Sequence, residues 1–68
     1  MNKYYVNKNA RSDRIHPTHK EGCIDMPQDR DRLYLGSFTT CKEALSEANK
    51  HYMKVTGCFF CSSDCYSS

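Results

Sequence analysis

Sixty-eight residues carrying a formal charge of +2 and an apolar share of 38% make one small domain, 1–68, with no room for a second. A chain this size buries only roughly 60% of its unfolded surface. Below about 70–80 residues a core alone rarely supplies more than ~3–5 kcal/mol, so a staple is expected.

The five cysteines and three histidines are the material for that staple. Compartment decides its kind. The opening Met1-Asn2-Lys3-Tyr4-Tyr5 lacks the apolar run of a signal peptide, and no stretch approaches the ~18 apolar residues of a membrane helix. The expected compartment is therefore the cytoplasm, where thiols stay reduced. An odd cysteine count would also leave one thiol over in an all-disulfide framework. Both points favour a metal. The basic residues are spread along the chain, with only Lys8 to Arg14 locally basic, and this stretch reads as solvated surface rather than a phosphate-binding patch.

Lys3-Tyr4-Tyr5-Val6-Asn7 has the aromatic and β-branched composition of a short strand, with Tyr4 and Val6 on one face. Asn7 to Ser12 is polar and aperiodic, a loop. In Ile15-His16-Pro17-Thr18-His19 the proline biases His16 toward extended geometry, as a second short strand or an ordered approach to the ligands. Gly22 before Cys23 suits a tight turn at a metal site, because glycine reaches positive φ cheaply. Ile24 to Arg32 is a polar loop anchored by Met26-Pro27.

Leu33-Tyr34-Leu35-Gly36-Ser37-Phe38 is the clearest strand. Strict alternation puts Leu33 and Leu35 on one face and Tyr34, Gly36 and Phe38 on the other, and Gly36 suggests a bulge or a close approach. Thr40-Cys41-Lys42-Glu43 fits the capping box that opens a helix. Cys41, Ala44, Leu45, Ala48 and Tyr52 then form one helical stripe, opposite Lys42, Glu43, Ser46, Glu47 and Lys50. The helix is expected over about 40–54, with Gly57 as its terminator. The fold expected is α+β, two or three short antiparallel strands packed on one C-terminal helix and stapled by a metal site.

Cys58-Phe59-Phe60-Cys61 is a C-x2-C pair, a spacing that lets two thiolates take adjacent corners of one tetrahedron. His19 and Cys23 form H-x3-C, short enough for both to reach the same ion. Together they make a closed three-cysteine, one-histidine zinc set. Two alternates stay open: Cys65 in place of His19, and His16 in place of His19. Cys41 on the helix stripe reads as a small buried hydrophobe. Phe59 and Phe60 read as core and cover for the sulfurs, and His51 as solvated.

His19-x3-Cys23, the strand Tyr34–Phe38 running into Thr39-Thr40-Cys41-Lys42-Glu43-Ala44, and Cys58-x2-Cys61 together resemble the small Ada-type metal-binding module. In that family a Y-H-x3-C turn is followed by a strand, a Ser- or Thr-capped helix and a C-x2-C, and the modules bind zinc and are often appended to nucleases or DNA-repair proteins. The resemblance spans about two thirds of the chain. It implies that His19, Cys23, Cys58 and Cys61 are the ligands. The chain departs from the pattern in its longer expected helix and in Cys41 and Cys65.

The function these residues point to is a non-enzymatic zinc-stapled module that binds a partner, protein or nucleic acid, and no membrane. Four protein ligands leave no open position for water or substrate. The alternatives are a thiol redox protein working through Cys58 and Cys61, a disulfide-stabilised domain with no metal, and an iron–sulfur site on Cys23, Cys58, Cys61 and Cys65. The redox reading is disfavoured because the C-x2-C follows a helix, where the dipole opposes thiolate formation.

Overall fold

A computed structural model describes residues 1–11 and 13–66; Ser12, within the polar loop, lies outside them. Four strands form one sheet: β1 (Asn2–Asn7), β2 (His16–Lys20), β3 (Arg32–Phe38) and β4 (Val55–Gly57). The helix α1 (Cys41–Ala48) lies between β3 and β4, and single 3-10 turns occupy Asp29–Asp31 and Ser63–Cys65. The sheet order is β3-β1-β2-β4. β1 pairs antiparallel with both neighbours, whereas β2 and β4 run parallel. The architecture is α+β, and the sheet is mixed rather than purely antiparallel.

Alternation in β1 works as its composition demands. Tyr4 and Val6 are buried with Leu35, Ala44 and Ala48, and Leu33, Phe38, Cys41, Tyr52 and Val55 pack at the margin. Phe38 was expected on the face opposite Leu33 and Leu35. A bulge changes that: Tyr4 pairs with Gly36 but Tyr5 pairs with Tyr34, so Leu35 is an extra residue on β3. One inserted residue resets the period-2 phase, and Phe38 swings onto the core side. Gly36 permits it with φ of +128°, and its bare Cα lies under the Phe38 ring, which a Cβ would meet at 3.3 Å.

The capping box forms as expected. The Glu43 amide donates to Thr40 Oγ1 at 3.4 Å, and the Thr40 amide donates to Glu43 Oε1 at 3.2 Å. The helix is shorter than the expected 40–54. It ends at Ala48, whose carbonyl accepts from both His51 and Tyr52, and the chain then leaves the helical path. Residues 49–54, expected to continue the helix, are turns and bends instead, and directly after them Val55, Thr56 and Gly57 form β4 against His16, Pro17 and Thr18. Two β-branched or strand-compatible residues next to a partner strand outweigh a weak helical pattern. Gly57 is thus a buried strand residue and not a helix terminator. Among the described residues no helix is long and apolar enough to cross a membrane.

Cys41 is not a free core thiol. It is disulfide-bonded to Cys65, which ties the first residue of α1 to the last 3-10 turn. Five cysteines therefore sort into one bond and three free thiols, Cys23, Cys58 and Cys61. The odd count, read as an argument against disulfides, is met by one bond plus three thiols.

Candidate metal centre

The parallel pairing of β2 with β4 brings two distant ligand pairs to the same end of the sheet. His19 stands in β2, on the face it shares with its β1 partner Tyr5 and opposite the helix-covered Tyr4 and Val6. The chain turns directly after β2, with Gly22 at φ +89° and the Cys23 amide donating to the Lys20 carbonyl at 3.1 Å. That turn returns Cys23 toward His19. From the other strand, the Cys58 amide donates to the Thr18 carbonyl at 2.8 Å, extending the β2–β4 ladder by one residue and fixing Cys58 beside His19. The Ser62 amide donates to the Cys58 carbonyl at 2.8 Å, closing the turn that carries Cys61.

The outcome is one cluster. His19, Cys23, Cys58 and Cys61 present ligand atoms that all lie within 4.8 Å of one another. The Cys23 and Cys58 sulfurs are 3.7 Å apart, and Cys23 Sγ is also 3.7 Å from His19 Nδ1. With Zn–S bonds of about 2.3 Å, two sulfurs on adjacent tetrahedral corners stand ~3.8 Å apart, so the spacing is already that of a shared ion. Backbone amides are aimed at the sulfurs, as a thiolate site requires: Lys20 N–H donates to Cys61 Sγ at 3.2 Å and Asp25 N–H to Cys23 Sγ at 3.4 Å. His19 is 1% exposed, and its Nε2 has no hydrogen-bond partner among the described residues. A buried polar atom left without a partner costs about 1–3 kcal/mol. The nitrogen that faces the sulfurs is Nδ1, the one placed to take a cation, while Nε2 stays without a partner.

The alternates fall away. Cys65 is committed to Cys41. His16 stacks on Tyr52 at 3.8 Å between ring centroids, and its Nδ1 sits 2.9 Å from the Asn7 carbonyl oxygen. The iron–sulfur set that used Cys65 loses its fourth thiolate for the same reason. Phe59 and Phe60, expected to cover the sulfurs, are 61% and 63% exposed; Cys58 itself is only 4% exposed. The cover comes from the strands and the turn backbone instead. His51 is exposed beside Glu47, as its place on the polar side of the helix end predicts. Sequence reasoning missed β4, whose signal was the Val55-Thr56 pair, and the Cys41–Cys65 bond, for which spacing alone gives no signal.

Without a metal, Cys23 and His19 resist charge. Burial pushes the Cys23 thiol up from 9.0 to about 12, with hydrogen bonding to Cys61 adding to it. Burial also lowers the His19 imidazole below its ordinary value, opposed by the Asp25 carboxylate. The signs give a testable profile for chelator-treated protein. The depressed His19 contributes stability that is present above pH ~6.5 and lost as pH falls below it, because the unfolded chain takes the proton first. The raised Cys23 contributes stability that is present below pH 9.0 and lost as pH rises toward 12, because the unfolded chain releases its proton first. Zinc holds the sulfurs as thiolates, so the alkaline loss is expected to vanish on loading while the acid loss deepens. Melting temperature against pH, with and without zinc, checks this between about pH 8.5 and 9.5, below the ordinary tyrosine value of about 10. An alkaline loss unchanged by zinc would count against thiolate ligation.

Comparison of the chain with protein-family models, with curated proteins and with solved structures found no match. The Ada-type resemblance therefore rests on its motifs alone. The structure shows the coarser feature those motifs implied, a His/Cys/Cys/Cys group within metal-binding distance in a small α+β fold. The residues between α1 and the C-x2-C are a turn followed by β4, not the longer helix that was expected.

Proposed function

We propose that this chain is a non-enzymatic binding module held together by one structural zinc ion on His19, Cys23, Cys58 and Cys61, in the manner of the Ada-type module it resembles. The observation that carries the reading is the convergence of four ligand atoms from two ends of the sequence to within 4.8 Å. Three thiolates and an imidazole make a closed, soft donor set that favours zinc over hard cations. Bound there, the ion supplies folding energy and no reaction step, because all four positions are protein ligands. The core it supports is lean, built mainly from Tyr4, Val6, Leu35 and two alanines.

The partner class we propose is a protein or a nucleic acid, read at the surface and not at the metal. A cytoplasmic location is part of the same proposal, and the Cys41–Cys65 bond is the feature that opposes it, since such bonds are rare where thiols are kept reduced.

Elemental analysis of protein purified without added metal or chelator tests the reading, together with a thiol count under denaturing conditions. One zinc per chain is expected, with three reactive thiols before reduction and five after it. Protein that takes up no zinc even when zinc is supplied would overturn it. A metal-free, two-disulfide protein would show one thiol, and the disulfide-only alternative would then replace the zinc reading.

A further inference from the structure

We propose that the Cys41–Cys65 disulfide and the metal centre are linked, so that reducing the bond weakens metal binding and loading the metal protects the bond. The inference rests on the four-ligand reading of the site, and deepens it by naming what regulates it.

Besides the Lys20 amide on Cys61 Sγ and the turn's own Ser62-to-Cys58 bond, the C-terminal ligand pair is anchored at its two ends. At its entry the segment is held by the Cys58 amide on Thr18. Within the ligand turn Phe59 and Phe60 are exposed, and past it Ser63 and Asp64 are exposed while Ser62 is buried. The exit is held by the Cys65 amide on the Ser62 carbonyl at 2.9 Å, by Thr56 Oγ1 donating to the Cys65 carbonyl at 3.4 Å, and by the covalent bond to Cys41. Cys41 in turn belongs to α1, which is docked on the sheet through the buried Ala44 and Ala48. The disulfide thus fastens the segment that follows Cys61 to a helix seated on the core. Broken, it frees residues beyond the turn, and the order they lose must be restored when the ion binds.

The bond is reachable. Cys41 and Cys65 are both half-exposed and line a cleft of about 640 Å³ that they share with Lys20, Cys61 and Asp64. A dithiol reductant balances the step: the Cys41–Cys65 S–S bond breaks, two S–H bonds form at those sulfurs, and the dithiol closes to its own disulfide. A metal site and a redox bond on one short segment make a two-input device. By linkage, whatever factor reduction removes from metal affinity is the factor by which metal raises resistance to reduction.

The test compares zinc affinity of the oxidised chain and of the chain reduced by a phosphine, which carries off oxygen from water as the S–S bond becomes two thiols. A chromophoric chelator competes for the zinc. Reduction is expected to weaken binding roughly 10- to 100-fold, below the ~300-fold ceiling set by loop entropy over the 24-residue separation. The double variant Cys41→Ala/Cys65→Ala, loaded with zinc and then extracted by the chelator, is expected to match the reduced chain with no reductant present. In glutathione buffers at fixed free zinc, the midpoint of disulfide reduction is expected to move to more reducing potential by about 30 mV per tenfold of coupling.

Equal affinity in both redox states would overturn the linkage and leave the metal reading intact. Tighter binding by the reduced chain would also overturn it, and would reveal freed Cys65 as a competing ligand. Zinc bound by neither form would instead sink the metal reading itself.

Discussion

Cys61→Ser is expected to abolish the cooperative thermal transition of the metal-loaded protein, and Cys58→Ser to do the same. Each sulfur is one of four donor atoms at a site where a bound ion would join β2, the turn after it, and the segment after β4. Serine at pH 7 is a neutral hydroxyl and a poor zinc ligand, so the site opens and affinity collapses. Structural zinc supplies on the order of 10 kcal/mol in small domains. A lean core of this size supplies about 3–5 kcal/mol, so losing most of the metal term exceeds what remains. Circular dichroism melts and zinc content should fail together. A Cys61→Ser protein that melts cooperatively at the wild-type temperature would show that the ion, if present, holds nothing up.

Gly57→Ala is expected to be nearly as damaging, although Gly57 is not a ligand. A Cβ there would stand 2.5 Å from the Ser62 carbonyl oxygen, 2.8 Å from Cys65 Cβ and 3.0 Å from the Cys65 carbonyl carbon. Two of those atoms are backbone, and the third belongs to a disulfide. None can swing aside as a flexible side chain would. The turn bearing Cys61 must lift away from β4, which also draws the disulfide off its seat. Overpacking into a filled site costs about 1–3 kcal/mol or more, and here the displaced part carries Cys61. Reduced zinc affinity together with a lowered melting temperature is the expected pair of results. A normal zinc affinity in Gly57→Ala would mean the C-terminal turn is far more pliant than its contacts suggest.

How far the sequence disclosed this depended on whether each signal was local. The clustering of His19, Cys23, Cys58 and Cys61 was legible in its two halves because H-x3-C and C-x2-C are short-range patterns, each set by what one turn can reach. The capping box was legible for the same reason, since Thr40 and Glu43 satisfy each other without reference to the rest of the fold. Gly36 announced a bulge, but its consequence for Phe38 did not follow from counting, because an inserted residue flips every later side chain. The end of the helix was misplaced because Asn49 to Lys54 continues a passable helical pattern, while the competing β2 strand lies far back in the sequence. The disulfide was invisible on similar grounds. Nothing near Cys41 says that Cys65 will fold back onto the start of its helix. The exposure of Phe59 and Phe60 follows from geometry as well: in a tight turn whose two cysteines point inward, the residues between them are driven outward.

The pairing of β2 with β4 has a consequence for the order of events in folding. Its Cα partners stand roughly 40 residues apart in sequence, whereas β1 and β2 meet across a short loop. Contacts that distant form slowly, because the intervening chain must first surrender its freedom. In the unfolded chain, however, each ligand pair is already compact, so an ion caught by His19 and Cys23 or by Cys58 and Cys61 becomes a tether seeking its other half. A metal captured early would shorten the search for the slowest pairing in the sheet, and folding of the zinc-supplied chain is then expected to be faster than that of the chelator-treated chain.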